Sequence, residues 1–430
     1  MRILYINQYF PPEIEPSATK VHEVGRELVR MGHQVTVITG FPHYPTGIVQ
    51  PQYRGKLVQT EELDGIRVLR TWLWPASTSH FLRRIACHIS FAASAFLRAV
   101  GSGACDVIVC SSPPLEIALA GVAISTIKRR PFVFEVRDLW PDEPIQTGQL
   151  KGKFLIALAR WIEHTVYCRA ACLVAVSPGF VAYLQSQGVP HEKITVLPNG
   201  TDVNLFGANP QARTAVRVEL GLEDAFVVGY TGTHGFQHHL ETVLVAARML
   251  LDQPGICFLF VGDGKEKSKL VDLGREWRLS NVQFLPTHPR ARVARILTAT
   301  DICVTHSEDI PINRRNLQSK LFDYMAAGKP IVLGCDGEMR NLIENAGAGI
   351  WVGAQQPERM AQAILRLKNE PVLRTQLGQA GREYALRHLS RERVALEYLV
   401  VFRHITTEGS ETQDHRMNKS GKESCPRQRQ

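Results

Sequence analysis

The sequence lacks the features expected of a membrane-spanning or secreted protein. No apolar run approaches the roughly 20 residues that a membrane-spanning helix requires. The N-terminal apolar run, Ile3-Leu4-Tyr5-Ile6, is too short for a signal-peptide core, so we interpret it as a buried strand. The nine cysteines contain no Cys-x-x-Cys pair, and an odd, dispersed set is typical of a reducing compartment. We therefore expect a cytoplasmic protein.

Nucleic-acid recognition has little support in the composition. The net charge is +9, but the basic residues are spread along the chain without a recognisable nucleic-acid-binding module. A small anionic substrate or an anionic membrane surface fits this charge better. With 430 residues, of which 44% are hydrophobic, the chain is long enough for two domains. The polar segment 407–430 is the exception, and we expect it to be disordered.

The segment 81–100 is the longest candidate for contact with a membrane. Its apolar residues follow helical spacing, at Phe81, Ile85, Ile89, Ala92 and Phe96. The stretch between Arg84 and Arg98 holds only about a dozen uncharged residues, too few to cross a bilayer. Two interpretations stay open: a helix packed in the core, or an interfacial helix that gives access to a lipid-linked substrate.

Short β-rich runs alternate with helical patterns in both halves of the chain. In the first half the predicted strands are 3–7, 34–39, 106–110, 131–136, 172–176 and 194–197. In the second half they are 226–231, 257–261, 282–285, 302–305, 330–333 and 350–352. Strands separated by helices indicate a parallel, doubly wound sheet. Two such series predict two Rossmann-like domains facing a central cleft.

The polar segment 198–210, which contains Asn, Gly and Pro, predicts the domain boundary. We place the N-terminal domain at 1–205 and the second domain at 206–384. A helical pattern at 385–405 is long enough to return to the first domain. The first helix is predicted to have Ser17 as its cap and to end at Gly32.

The segment 319–328, Ser-Lys-Leu-Phe-Asp-Tyr-Met-Ala-Ala-Gly, combines a helix with an anion-binding pattern. Ser319 or Asn316 can cap its N-terminus. The free N–H groups and the dipole there attract an anion, to which Lys320 adds a full charge. Asp323 can accept hydrogen bonds from sugar or ribose hydroxyls. The alternative is a capped amphipathic helix with a surface Lys–Asp pair.

Glycine-rich turns follow two of the predicted strands in the second half. They contain Gly232, Thr233, His234 and Gly235 after the first strand, and Gly262 and Asp263 after the next. Turns of this kind let the backbone approach a diphosphate closely. Because the carboxyl ends of parallel strands share one edge of a sheet, we expect these turns and the helix at 319–328 to line one site.

These motifs resemble the donor-site signature of the retaining GT-B glycosyltransferase family 4. The resemblance is based on Ser-Lys at 319–320, Asp-Tyr-Met-Ala-Ala-Gly-Lys-Pro at 323–330, Arg-Asp-Leu-Trp-Pro at 137–141 and Pro-Asn-Gly-Thr-Asp at 198–202. It extends to about Arg403. Within the family it is closest to bacterial transferases of exopolysaccharide and O-antigen assembly, including N-acetylfucosamine transferases of the WbuB type.

The resemblance implies roles for individual residues. Asp323 takes the place of the second Glu of the family's Glu-x7-Glu motif, which contacts the nucleotide ribose, whereas Arg315 replaces the first Glu, which contacts the donor sugar. The family's Arg and Lys for the diphosphate are absent after the first strand of the second domain, so Lys320 is the candidate for neutralising it. The nucleotide base of the donor is expected to lie against Leu285. The donor-site candidates are Ser17, Gly232, Thr233, His234, Gly235, Gly262, Asp263, Leu285, Ser319, Lys320, Leu321 and Asp323.

The first half contributes candidates for the acceptor side, Arg137, Trp140 and His43. Asp138, next to Arg137, is interpreted as facing the acceptor hydroxyl or the donor sugar, and Trp140 as an apolar wall. Alternatively, Arg137 and Asp138 form a buried structural ion pair. His43 lies in a loop rich in Pro, Tyr and Gly that is expected to reach the acceptor. The catalytic candidates are Asp138, Lys320 and Asp323.

The predicted activity is sugar transfer from a nucleoside-diphosphate sugar, UDP-linked by resemblance, to a lipid-linked acceptor such as a polyprenyl-diphosphate saccharide. It would take place in the cytoplasm or at the inner face of the plasma membrane. Because no Asp-x-Asp motif is present, neither a metal nor another cofactor is expected. A sugar-nucleotide epimerase and a non-catalytic sugar-nucleotide-binding subunit stay open. A dinucleotide-dependent oxidoreductase is disfavoured, because Asn-Gln-Tyr-Phe-Pro-Pro at 7–12 stands where a Gly-x-Gly-x-x-Gly turn is needed.

Overall fold

The computed structural model describes residues 1–77, 81–146, 148 and 150–420, without the side chains of residues 81, 82 and 408–420. The chain forms two compact units. Unit 1 contains Met1–Ala175, Leu184–Leu197 and the chain from Ala395 onward, and unit 2 contains Val176–Tyr183 and Pro198–Val394. The units therefore divide after Leu197 and after Val394, where the sequence predicts limits at 205 and 384.

The strands alternate with helices along the chain. The strands are β1 (Arg2–Ile6), β2 (Gln34–Gly40), β3 (Val58–Leu63), β4 (Ile66–Thr71), β5 (Val107–Ser112), β6 (Phe132–Val136), β7 (Cys172–Ala175), β8 (Ile194–Val196), β9 (Phe226–Thr231), β10 (Ile256–Val261), β11 (Val282–Leu285), β12 (Ile302–His306), β13 (Ile331–Gly334) and β14 (Gly349–Trp351). The helices are α1 (Pro16–Arg30), α2 (Phe81–Val100), α3 (Glu116–Lys128), α4 (Asp142–Gln146), α5 (Lys153–Arg169), α6 (Val181–Ser186), α7 (Pro210–Leu220), α8 (Glu241–Met249), α9 (Lys267–Glu276), α10 (Arg290–Ala299), α11 (Pro311–Arg315), α12 (Ser319–Ala326), α13 (Glu338–Ala346), α14 (Pro357–Asn369), α15 (Pro371–Tyr384) and α16 (Arg391–Ser420).

Unit 1 contains a sheet of eight strands in the order β3-β4-β2-β1-β5-β6-β7-β8. Neighbouring strands are parallel except β3, which pairs antiparallel with β4. The β3–β4 hairpin is absent from the predicted strands, although Asp64-Gly65 between them is a turn signal. Both turn residues have positive φ, 50° and 77°, as a two-residue hairpin loop requires. The hairpin was missed because β3 is only half-buried at the sheet edge, so its hydrophobic signal is weak.

Unit 2 contains a parallel sheet of six strands in the order β11-β10-β9-β12-β13-β14. Each strand predicted for this half is present, with ends that differ by at most one residue. Two Rossmann-like α/β units with parallel sheets are therefore confirmed. The turns after β9, β10 and β11 and the start of α12 follow carboxyl ends of strands, the edge at which such sheets bind ligands.

Two predicted helix caps differ from the structure. The cap of α1 is Glu15 and not Ser17, because the Glu15 carboxylate accepts hydrogen bonds from the backbone N–H groups of Ser17 and Ala18 at 2.6 and 3.0 Å. Helix α12 begins at Ser319 itself, after Gln318. The Gln318 side chain does not cap the helix, since its carbonyl accepts from another hydroxyl.

The final helix extends further than the sequence suggests. Helix α16 continues to Ser420, and residues 421–430 lie outside the described part of the chain. Disorder of the segment 407–430 stays a prediction.

Helix α2 confirms the helix predicted at 81–100 but buries a different stripe. The residues fully buried are Cys87, Phe91, Ala95 and Ala99, whereas Ile89 of the predicted stripe is exposed. Small residues on the inner face let α2 pack closely against its neighbour α3. Hydrophobicity alone therefore pointed to the wrong side of the helix.

Candidate active site

The ammonium of Lys320 lies against the glycine-rich turn that follows β9. Its Nζ donates a hydrogen bond to Tyr230 Oη at 2.6 Å and lies 4.1 Å from the centre of that ring. A Cβ atom placed on Gly232 would lie 3.2 Å from Nζ. Burial lowers the pKa of Lys320 to about 7. Among the described residues Tyr230 is the only hydrogen-bond partner of this ammonium, so its other donors are available to an anion.

The turns after β9 and β10 contact each other so closely that side chains are excluded between them. Backbone hydrogen bonds of 2.9 and 2.8 Å join the two turns. A Cβ atom on Gly262 would lie 2.0 Å from the carbonyl oxygen of Gly232, and one on Gly264 would lie 2.4 Å from that of His234. The glycines are therefore required by this contact. It fixes a bare backbone surface next to Lys320.

The side chain of His234 does not belong to this surface. Its ring is fully buried, with ring centres 5.8 Å from Tyr230 and 6.3 Å from both Phe260 and Phe284. Neither ring nitrogen has a hydrogen-bond partner among the described residues. Burial lowers the pKa of His234 to about 4, with a smaller effect from nearby lysines. Only the backbone of this residue is placed for ligand contact.

The other predicted donor residues divide between the sheet edge and the core. Thr233 and Asp263 are exposed and Gly235 and Leu285 are half-buried, all in turns or strand ends at the carboxyl edge. Leu321 is fully buried in the hydrophobic core, so its side chain does not line that edge. Leu317, Leu321 and Met325 stand four residues apart, a spacing that places Leu321 on an apolar stripe of α12.

Asp323 is held in an ion pair that the sequence did not reveal. Its carboxylate accepts hydrogen bonds from Arg290 at 3.0 and 3.1 Å and from the Thr201 hydroxyl at 2.6 Å. Ser319, one turn earlier, is half-buried and accepts from the Asn199 amide at 3.2 Å. Helix α12 is thereby tied to the segment 198–202 and to α10. A ribose contact of Asp323 stays a prediction.

Arg315 contributes its backbone to the structure and directs its side chain to solvent. Its carbonyl oxygen accepts a hydrogen bond from the Ser177 hydroxyl at 2.6 Å. A Cβ atom on Gly179 would lie 2.7 Å from the same oxygen. Arg315 itself is exposed, and its correspondence to the family's sugar-binding Glu stays a prediction.

In unit 1, Arg137 and Asp138 directly follow β6, at the carboxyl edge of that sheet. Arg137 is buried, and its Nε lies 3.7 Å from Glu135. Neither Nε nor Nη1 of Arg137 has a hydrogen-bond partner among the described residues. Burial raises the pKa of Asp138 and, together with Asp138, raises the pKa of Glu143 to about 7. A guanidinium with unused donors thus lies beside Asp138, a carboxyl group that retains its proton more readily than usual, which suits a polar ligand.

A buried ion pair lies beneath Arg137. Lys20 Nζ donates to Glu135 at 2.8 Å, and both side chains are almost fully buried. The Tyr398 hydroxyl of α16 donates to the other Glu135 oxygen at 2.7 Å. Three elements, α1, β6 and α16, are thereby joined through one carboxylate. None of these residues was a candidate, because the pairing partners are separated by at least 115 positions.

The side chain of His43 is buried, although the residue lies in a loop. Its Nδ1 donates to the Phe41 carbonyl at 2.9 Å, and its backbone N–H donates to the Glu13 carboxylate at 3.0 Å. Burial lowers the pKa of His43 and raises that of Glu13 to about 7. Of the other unit 1 candidates, Ser17 is buried and Trp140 half-buried. In the described part of the chain no group of three or more His, Cys, Asp or Glu side chains is arranged to hold a metal ion.

Two family models match the chain, one in each half. The glycosyl transferase 4-like domain matches residues 17–200, and the glycosyl transferases group 1 domain matches residues 212–384. Together they include all of the candidate site residues in both units.

Similar proteins agree with this assignment. WcaI of Escherichia coli K12, whose name assigns it to colanic acid biosynthesis as a glycosyl transferase, is 26% identical over 93% of this chain and 99% of its own. HepE from Anabaena, solved with UDP and glucose, has a TM-score of 0.70 and 18% identity over 94% of this chain and 99% of its own. Sucrose-phosphate synthase from Thermosynechococcus elongatus has a TM-score of 0.74 and 19% identity over 95% of this chain and 99% of its own. With these matches and two Rossmann-like units, the chain is a glycosyltransferase of the GT-B fold that combines a glycosyl transferase 4-like domain with a group 1 domain.

Proposed function

We propose that the protein transfers a sugar from a nucleoside-diphosphate sugar, with UDP as the favoured nucleotide, to a lipid-linked saccharide in cell-surface polysaccharide synthesis. Transfer occurs with retention at the anomeric carbon and without a metal ion. The observation that carries the proposal is the position of Lys320 against the turn at Gly232. A partly buried ammonium beside a bare backbone turn is suited to the diphosphate of a donor.

The chemistry requires stabilisation of the departing diphosphate. The bond between the anomeric carbon and the β-phosphate oxygen breaks, its electron pair stays on that oxygen, and the acceptor oxygen bonds to the same carbon. The acceptor proton passes to the released diphosphate. Lys320 and the N-terminal N–H groups of α12 are in place before the reaction, and one such donor is typically worth about 3 kcal/mol of the barrier.

The names of relatives support a nucleotide donor and a cell-surface product. HepE was solved with UDP and also with UDP-glucose. Besides WcaI, LpsE of Rhizobium meliloti, a lipopolysaccharide core biosynthesis glycosyltransferase, is 27% identical over 58% of this chain and 69% of its own. The resemblance to WbuB-type transferases makes N-acetylfucosamine the first donor sugar to test. The base is proposed to lie near Leu285.

The acceptor is proposed to bind unit 1 at the end of β6. Arg137 has unused donors for an anionic group, such as the diphosphate of a polyprenyl carrier, and Asp138 faces the acceptor hydroxyl. Trp140 supplies an apolar wall. In the described part of the chain no helix is long and apolar enough to cross a membrane. We propose that the protein works in the cytoplasm and meets its acceptor at an anionic inner membrane surface, where a lipid-linked acceptor is present.

Product analysis with radiolabelled nucleotide sugars tests this function. The full chain is incubated with each donor, with and without a polyprenyl-diphosphate saccharide. We expect label to enter the lipid fraction only when acceptor is present. Conversion of the donor to an epimer without acceptor would identify a sugar-nucleotide epimerase, and binding without any turnover would identify a non-catalytic subunit.

Variants of Lys320 and Arg137 separate the two substrates. Lys320→Met is expected to weaken donor binding, measured as an increase in the Kd of the donor. Arg137→Met is expected to raise the KM of the acceptor while donor Kd stays unchanged. An equal loss of donor binding in both variants would contradict the division of roles.

A further inference from the structure

The helices α2, α3 and α5 form one layer on unit 1. Each connects two parallel strands of the sheet and leads towards β8, so right-handed crossovers place all of them on the same face. Helix α3 packs between α2 and α5. Its sequence, Glu-Ile-Ala-Leu-Ala-Gly-Val-Ala-Ile-Ser-Thr-Ile-Lys, is apolar on all sides, as expected of a helix that meets apolar surroundings beyond the sheet.

The outer surface of this layer exposes large apolar side chains. On α5, Phe154 is 79% and Trp161 58% exposed, with Leu155 and Leu158 exposed between them. On α2, Leu97 is 72% exposed. The other exposed apolar side chains on or beside the layer are Trp72, Trp74, Ile89, Val100 and Ile127. Hydrophobic residues grouped on neighbouring helices mark an interaction surface, whereas scattered ones do not.

The exposed charges on these helices are positive. The exposed basic residues are Arg83, Lys153 and Arg169, and Arg84, Arg98, Lys128 and Arg160 are partly exposed. The acidic residues are Glu116, whose side chain is 12% exposed and lies 3.7 Å from His88, and Glu163, which is buried in an ion pair with Arg160. No acidic side chain on the three helices is therefore exposed. Lys151, just before α5, adds another exposed cation.

We infer that the outer surface of the α2–α3–α5 layer docks on an anionic lipid membrane. Apolar aromatic side chains flanked by Lys and Arg are the pattern of helices that lie in a membrane interface. Exposed cations without exposed carboxylates are complementary to anionic headgroups. The inference rests on the proposed function, since a lipid-linked acceptor is present at such a surface.

The docking surface is wider than the single helix at 81–100 that the sequence singled out. Helix α5 must run from the carboxyl edge of the sheet, where β6 ends, back to the start of β7. Phe154 and Leu158 in its first half therefore lie towards the edge at which Arg137 and Asp138 follow β6. A membrane contact there places the headgroup region on the side of unit 1 proposed for the acceptor.

Vesicle co-sedimentation tests the docking surface. The full chain is mixed with phosphatidylcholine vesicles that contain phosphatidylglycerol and cardiolipin, or with phosphatidylcholine alone. We expect binding to the anionic vesicles only, and a loss of roughly tenfold in affinity for Phe154→Ser combined with Trp161→Ser. Lys151→Gln combined with Lys153→Gln is expected to cost about fivefold for each lysine.

Two apolar residues of unit 2 with similar exposure serve as matched controls. Val372 is 70% and Val218 59% exposed, and Val372→Ser combined with Val218→Ser is expected to leave vesicle binding unchanged. The inference is overturned if wild-type protein does not bind anionic vesicles, if the α5 variants bind as well as wild type, or if the controls lose as much binding. A dimer in solution that Phe154→Ser dissociates would show that the surface binds a second copy, and this also overturns the inference.

Donor turnover separates this inference from the proposed function. Hydrolysis or transfer of the donor to a short-chain, detergent-soluble acceptor is measured without vesicles. We expect the α5 variants to retain it. Vesicle binding without any transfer would leave the docking surface intact and reject the proposed function, whereas transfer without vesicle binding would do the reverse.

Discussion

Lys320 Nζ lies 2.6 Å from Tyr230 Oη, and this ammonium, with a pKa near 7, faces the glycine turn at Gly232. Among the described candidates, Lys320 brings a positive charge to a glycine-rich turn, the arrangement proposed for donor binding. Because of this position, donor binding is expected to depend on whether Lys320 is protonated.

Donor affinity is expected to fall as pH rises above 7. A bound diphosphate raises the pKa of Lys320. Below pH 7 the lysine of the free protein is already charged and binding is strongest. Above pH 7 the lysine is mostly neutral in the free protein and must take up a proton when the donor binds. Donor affinity is expected to fall by at most about tenfold per pH unit, until the pH reaches the pKa of Lys320 in the donor-bound protein. Calorimetric titration of UDP at several pH values measures it. A Lys320→Met variant that keeps the same pH slope would contradict the role of Lys320.

Asp323 and Arg290 are expected to be coupled in stability. Removing either partner leaves a poorly compensated charge, which costs roughly 2 kcal/mol, less than for a fully buried pair because Arg290 is partly exposed. A double-mutant cycle with Asp323→Asn and Arg290→Met, followed by denaturant unfolding, is expected to give a coupling free energy of about 1–3 kcal/mol. Additive effects would show that the ion pair contributes nothing. Donor Kd is measured separately in both variants. If Asp323 contacts the ribose, donor Kd rises in Asp323→Asn but not in Arg290→Met.

His234→Phe is expected to preserve donor binding and to reduce acid sensitivity. The pKa of His234 is about 4 in the folded chain and about 6.5 when unfolded, so the unfolded state binds more protons in this window. Stability that depends on His234 is therefore lost as pH falls from 6.5 to 4. Replacement by Phe removes that loss, and melting temperatures across this range measure it. A clear drop in donor affinity would place the imidazole in the site after all.

Lys20→Met is expected to destabilise unit 1 more than Tyr398→Phe. The first change removes the ammonium that is hydrogen-bonded to the buried Glu135 carboxylate, and Arg137 at 3.7 Å compensates the charge only in part. The expected cost is about 3 kcal/mol, the lower end of the range for a broken buried pair. The second removes a single hydrogen bond to that carboxylate, worth roughly 1.5–3 kcal/mol. Denaturant unfolding followed by the signals of both units measures the difference. Equal, small effects would mean that Glu135 is protonated in the folded chain.

The sequence was sufficient for all six strands of unit 2 and for six of the eight strands of unit 1, because hydrophobic periodicity reports on burial along each element. It failed where the partner of a residue is distant in the chain. Asp323 was interpreted through its neighbour Lys320, yet it pairs with Arg290, 33 positions earlier. Lys320 and Asp323 both lie on helix α12, but Lys320 contacts Tyr230 whereas Asp323 contacts Arg290.

His234 and His43 show the same limit at single residues. Both stand next to glycine or proline in loops, which suggested contact with a ligand, but both rings are buried. A loop position predicts where the backbone lies, whereas the direction of a side chain depends on packing that sequence spacing does not record. Leu321, by contrast, was on a visible apolar stripe.

The most direct test of the donor site is the stability of the full chain with nucleoside-diphosphate sugars. At 100 times the Kd, a ligand specific for the folded state raises the free energy of unfolding by about 2.7 kcal/mol. We expect this gain for at least one UDP-sugar with wild-type protein and with Lys269→Met, a change at an exposed lysine of unit 2. Lys320→Met at the same ligand concentration should gain much less. An equal gain in Lys320→Met, or no gain for any nucleotide sugar, would contradict the account.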